Sequence, residues 1–80
     1  MDTLKQIQDF MLKEFAPERD SFAPDENLLA SGLIDSIGIL KLVTFLEEQF
    51  NIRADEDDLV PENFMTLKMI QEFVDRRRNA

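Results

Sequence analysis

The chain contains no cysteine, histidine, tryptophan or tyrosine. Without cysteine there is neither a disulfide framework nor a thiolate metal site. Without histidine, Ser–His–Asp triads, imidazole proton shuttles and histidine zinc sites are unavailable. These absences remove most common catalytic devices before any motif is read. Basic side chains are also scarce, 9 against 17 acidic ones, for a formal net charge of -8. Such a surface repels nucleic acid and anionic lipid and favours encounter with basic protein surfaces. No apolar run approaches the ~20 residues needed to span a bilayer. The opening MDTLKQIQDF lacks the basic-then-apolar layout of a secretion signal. A soluble, cytoplasmic protein with no nucleic-acid and no membrane partner is the expectation.

What is present suits one small folded domain over residues 1–80: the length leaves no room for a second, and a hydrophobic content of 44% argues against disorder. Residues 3–15 read as a helix, with Leu4, Ile7, Met11 and Phe15 on one stripe and Phe10 and Leu12 widening it. Thr3 and Gln6 have capping-box spacing, and Pro17 stops the helix. Residues 16–34 read as a long loop, broken by Pro17 and Pro24 but carrying Phe22, Leu28, Leu29, Leu33 and Ile34. A loop of that length with so many apolar residues is expected to pack over the helices, with a turn near 25–30.

Residues 36–50 read as a second helix with a core stripe of Ile39, Leu42, Val43, Leu46 and Phe50, ended by Asn51 in a left-handed conformation. Residues 51–65 form an acidic connection, with a short helical turn expected around Asp57–Val60 and ended by Pro61. Its spacing fails as a calcium loop, because Leu59 falls at a ligand position and the turn glycine is missing. Residues 66–78 read as the last long helix, capped by Thr66, with Leu67, Ile70 and Val74 buried and Phe73 at the edge. Arg76, Arg77 and Arg78 are expected to complement the negative end of that helix. The pattern is a small all-α bundle of three long helices and one short one, with a long first loop.

The core stripe of the second helix leaves Ile37 and Leu40 unexplained. At ~100° per residue they lie roughly 100–160° from the stripe, beside Thr44 and among Lys41, Glu47 and Glu48. An apolar pair set in charge reads as a docking surface. Ser36 begins the same helix. Asp35 and Ser36 both favour N-caps, so Ser36 is either a cap or a residue to be presented. A phosphate ester at that position would be stabilised by free N–H groups and the helix dipole. Gly38 in the first turn leaves room for a bulky group or an approaching enzyme, or serves tight packing of the loop. As a nucleophile Ser36 lacks a base, since Lys41, five positions on, faces another side of the helix. It suits an acceptor that another enzyme activates.

The stretch GLIDSIGILKLVTFLEEQF resembles the modification site and second helix of acyl carrier proteins, and the resemblance runs on to the NFMTLKMIQEFV ending. It implies an acyl-carrier-like four-helix bundle and covalent 4'-phosphopantetheine on Ser36. That arm would be installed by a phosphopantetheinyl transferase, with Asp35 capping the helix and helping to position metal and phosphate. The arm would hold an acyl or aminoacyl group as a thioester. The partners implied are a loading enzyme and downstream acyltransferases or synthases, met through Ile37, Leu40, Lys41, Thr44, Glu47 and Glu48. The carrier itself would be a monomer without catalytic activity. GLIDS, and Lys41 where the family commonly has an acid, resemble free-standing carriers of specialised pathways, including D-alanyl and other aminoacyl carriers, and peptidyl carriers. They leave the load open among an amino acid, a polyketide-like and a modified acyl group. The competing reading is an unmodified interaction module that binds a partner through Ile37 and Leu40.

Overall fold

A computed structural model describes residues 3–78. Three α-helices appear: α1, Thr3–Phe15; α2, Ser36–Phe50; and α3, Leu67–Arg78. Among the described residues there are no strands. No helix there is long and apolar enough to cross a membrane. The three stripes meet as expected. Ile7 and Met11 of α1, Leu42, Val43 and Leu46 of α2, and Ile70 and Val74 of α3 are buried together. α1 packs mainly against α3, and α2 closes the remaining side.

The caps follow local chemistry with one exception. Asp35 is the N-cap of α2, in extended backbone, and its Oδ1 accepts the Gly38 N–H at 2.7 Å. Thr66 caps α3, its Oγ1 accepting the Met69 N–H at 3.1 Å. Asn51 ends α2 at φ 55, and the Asn51 and Ile52 N–H groups both return to the Glu47 carbonyl. The exception is the box expected at the start of α1. Gln6 instead accepts from Gln49 across to α2 at 2.7 Å, and the Thr3 hydroxyl accepts from Arg78 at 3.3 Å. Tertiary partners outcompete the local pair.

The middle of the first loop is tied to α1 and to the start of α3. Phe22 N–H donates to Gln8 Oε1 at 2.9 Å, Leu28 N–H to the Met65 carbonyl at 2.7 Å, and Lys68 N–H to the Pro24 carbonyl at 3.1 Å. Arg19 grips Glu26 with both guanidinium nitrogens, at 2.8 and 2.7 Å, and lies over the Phe22 ring. Phe22, Leu28 and Ile34 are buried, so the loop contributes a wall of the core. Gly32 turns the chain at φ +78, which side-chain-bearing residues adopt at a cost.

One expectation is corrected and two gain detail. The short helical turn expected around Asp57–Val60 appears as a 3-10 turn at Glu56–Asp58, followed by a second at Pro61–Asn63, and among the described residues no fourth α-helix forms. Pro61 starts the second turn, where its missing N–H costs nothing, so the chain cannot run through as one helix. Phe73 is fully buried rather than at the edge, because Phe64 from the connection meets it edge-to-face at 5.5 Å. The C-terminal arginines stand in the last turn of α3, as expected, and in addition reach back onto the acidic connection. Arg77 pairs with Asp58 and, at 3.1 Å, with Asp55. Arg76 donates to Asn63 at 3.1 Å, and Asn63 in turn donates to the Asp58 carbonyl at 2.8 Å. Arg78 lies over the Phe50 ring.

Two measurements follow from these contacts. Asp35→Ala removes a satisfied cap and is expected to cost about 1 kcal/mol in chemical denaturation. Ser36→Ala should cost far less, because Ser36 is exposed and Asp35 already holds the cap position. Equal losses would make Ser36 a structural residue. The Asp58 carboxyl is held below the usual carboxylate range by the Asp55 backbone N–H and then by Arg77, with partial burial opposing. A carboxyl lowered in the folded state contributes stability above its unfolded pKa and loses it as pH falls through the folded value. Asp58→Asn should therefore melt below the parent at about pH 7, with the gap narrowing at about pH 3 as the parent's carboxylate protonates. Thermal melts at both pH values check this, and a constant gap would remove charge from the explanation.

Candidate functional site

The site begins from the cap. Because Asp35 supplies the capping oxygen, Ser36 becomes the first helical residue rather than the cap. Its side chain is exposed, and among the described residues no group hydrogen-bonds its hydroxyl. The Ser36 and Ile37 N–H groups also have no acceptor there, whereas Gly38 N–H is taken by Asp35 Oδ1 and Ile39 N–H by the Asp35 carbonyl. An exposed hydroxyl thus sits at the positive end of a 15-residue helix beside two unsatisfied donors.

Gly38 explains how the turn closes. It is buried, and a Cβ there would stand 3.0 Å from Phe15 Cε1, 3.2 Å from Asp35 Oδ1 and 3.3 Å from Ile34 Cγ2. The missing side chain lets Phe15 and Ile34 press against the first turn without disturbing the cap. Of the two readings of Gly38, tight packing is the one visible in the contacts.

The residues singled out on α2 separate by exposure. Ile37 is 66% exposed and Leu40 57%, the highest values among large hydrophobic side chains outside the core. Lys41, Thr44 and Glu48 are exposed too. Thr44 returns its hydroxyl to the Leu40 carbonyl at 3.0 Å. Glu47 is half-buried, and its Oε2 accepts the Ala54 N–H at 3.0 Å, pinning the start of the acidic connection to α2. The structure therefore brings Ser36, Ile37, Leu40, Lys41, Thr44 and Glu48 onto the open side of α2 and draws Glu47 toward the fold.

Sequence reasoning missed a second feature. Phe45 stacks on Phe10 of α1 with centroids 4.1 Å apart and planes 13° from parallel. Both rings remain half-exposed and floor a concavity of about 400 Å³ edged by Glu14, Lys41, Thr44 and Glu48. The available signal was Phe45 itself, an aromatic one position off the core stripe with no assigned partner.

With this geometry in hand, similarity to known proteins can be placed on it. The family model described as the phosphopantetheine attachment site matches residues 6–76. The chain is 33% identical over 70 residues to proteins named D-alanyl carrier protein from Streptococcus sanguinis (strain SK36) and Streptococcus gordonii (strain Challis), covering 88% of this chain and 89% of each relative. It is 34% identical over 56 residues to the D-alanyl carrier protein of Streptococcus uberis, covering 70% of this chain and 71% of that one. A match along nearly the whole length, of which the capped α2 start is one part, leaves a single conclusion: the chain belongs to the phosphopantetheine-dependent carrier protein family.

Proposed function

We propose that the protein is a discrete aminoacyl carrier in which Ser36 is the attachment residue for 4'-phosphopantetheine. The observation that carries this is the unpartnered Ser36 hydroxyl at a helix start whose cap is already filled by Asp35. The residues present suit a phosphodiester: the Ser36 and Ile37 N–H groups are unsatisfied, and the helix dipole favours negative charge at that end. The chain offers Ser36 no base of its own, so the reaction that modifies it belongs to a phosphopantetheinyl transferase. The attached group supplies a terminal thiol, which holds the load as a thioester. Relatives named for D-alanine favour an amino acid as that load.

Every other role assigned to the chain is presentation. Asp35 keeps the helix start rigid and the serine outward. Ile37 and Leu40 offer an apolar contact to transferase, loading enzyme and downstream acyltransferase or synthase, and Lys41, Thr44 and Glu48 surround it with polar contacts. Exposed apolar side chains ringed by charge are the composition of a transient interface. Glu47 belongs to this face more weakly, because one carboxylate oxygen is committed to Ala54. On this reading the protein acts as a cytoplasmic monomer with no catalytic step of its own.

Two experiments test the reading. Incubation with coenzyme A and a broad-specificity phosphopantetheinyl transferase should add one phosphopantetheine to the intact mass, and Ser36→Ala should gain nothing. No gain, with the same transferase active on another carrier, would favour an unmodified interaction module. Leu40→Glu should slow modification by the transferase severalfold while leaving the melting temperature within about 2 °C, because the side chain is largely in solvent. A large drop in melting temperature would place Leu40 in the packing and remove it from the docking face.

A further inference from the structure

The concavity floored by Phe10 and Phe45 is not isolated. A second, of about 260 Å³, is walled by Asp35, Ile37 and Gly38 and shares Glu14 and Lys41 with the first. A third, of about 330 Å³, shares Phe10 and Phe45 and extends to Gln6 and Gln49. The second and third each share two lining residues with the first, so the three form a row of shallow depressions, a discontinuous trough along the seam between α1 and α2. It starts at the neighbours of Ser36 and ends at the far end of α2.

Its length is set by the helix. From Ile37 to Gln49 at 1.5 Å per residue the trough runs ~18 Å. A phosphopantetheine arm has about fourteen bonds from the serine oxygen to its sulfur. An extended chain advances roughly 3.4 Å for every three bonds, which gives a reach of ~16 Å. An arm leaving Ser36 along the seam therefore ends near the level of Glu48, past the stacked rings.

The lining suits that occupant. Lys41 stands near the start, the half-exposed faces of Phe10 and Phe45 lie midway, and Glu48 stands near the end. Among the described residues Glu14, Lys41 and Glu48 make no ion pair and no side-chain hydrogen bond, although other charges are paired. Glu48 is an unpaired carboxylate near the level that the arm reaches, whereas Glu14 lies toward the Ser36 end and the far concavity is lined, besides the two rings, by Gln6, Asp9, Lys13 and Gln49. Glu48 complements a cation, and an aminoacyl load carries an ammonium where a fatty acyl load carries only hydrocarbon.

We infer that the α1–α2 seam is a resting track for the arm borne by Ser36, with Glu48 receiving the ammonium of an aminoacyl load. The inference rests on the proposal that Ser36 is the attachment residue. The test compares amide chemical shifts of the nitrogen-15-labelled protein in three forms. These are unmodified, carrying the arm, and carrying D-alanine through a coenzyme A analogue whose sulfur is replaced by NH, so that the load is not hydrolysed. Intact mass verifies full modification of each sample, and melting verifies folding of each variant.

The arm alone should shift amides of Lys41, Thr44 and Phe45 and, across the seam, of Phe10 and Glu14. Alanine should add a shift at Glu48, which Glu48→Gln abolishes without disturbing the first set. Phe10→Ala should erase the first set beyond residue 38. Full modification with shifts confined to residues 35–38, or appearing on α3, would overturn the track. An alanine-dependent shift that persists in Glu48→Gln would overturn the ammonium assignment. Absence of any mass gain would instead overturn the reading of Ser36, and the two failures are separable because mass is read before shifts.

Discussion

The hydrogen bond from Gly38 N–H to Asp35 Oδ1 decides what the rest of the molecule displays. Two adjacent residues could have capped α2. With aspartate in the cap, the serine becomes the first helical residue and its hydroxyl is released; with serine in the cap, the hydroxyl would be spent on the N–H three residues on. The apolar stripe sets the rotation of the same helix. Leu42, Val43 and Leu46 turn into the core, and Ile37 and Leu40 turn away from it. Gly38 completes the arrangement, because a Cβ there would stand 3.0 Å from Phe15 Cε1 and 3.2 Å from Asp35 Oδ1, so that the ring or the cap would have to give way. Capping, core packing and display are one constraint seen from three sides.

Much of this was legible along the chain. The three α-helices follow from apolar stripes at helical spacing and from Asp35, Thr66 and Asn51, whose cap chemistry is local. Ile37 and Leu40 were readable as surplus because a rotation of ~100° per residue leaves them on the wrong side of the stripe. What escaped depends on partners far away in sequence. Phe73 looks marginal on its own helix and becomes core only when Phe64 arrives from the connection. The acidic run looks solvated until Arg77 reaches back 22 residues to Asp55 and 19 to Asp58. The stack of Phe10 on Phe45 pairs two side chains that each sit beside, not on, the stripe of their own helix.

The arginine triplet shows how a chain of net charge -8 spends its few cations. Arg76 and Arg77 hold the connection between α2 and α3, and Arg19 holds the first loop. Neither loop is anchored by regular structure, so charge-assisted bonds do there what helix ladders do elsewhere. The ion pairs of Arg19 and Arg77 each neutralise one carboxylate with the arginine, so the remaining surface keeps the chain's full acidic excess. That favours basic partners at long range. Lys41 is the counterweight on the proposed docking face, since it lies exposed and unpaired beside Ile37 and Leu40.

A shallow seam is a sufficient resting place for a tethered arm because the tether changes the arithmetic. A ligand on a short flexible link is present at an effective concentration on the order of millimolar. An intrinsic affinity of about 1 mM, roughly 4 kcal/mol, then leaves the track about half occupied. Two half-exposed phenylalanine faces and one carboxylate are of the right order, and a deep cavity would bind too well. A carrier must surrender its load to each successive enzyme, and every kilocalorie that holds the arm to the seam has to be recovered at the partner. Weak, exposed contacts let the apolar and charged surface around Ser36 settle that competition, so docking and release are governed by the same helix face.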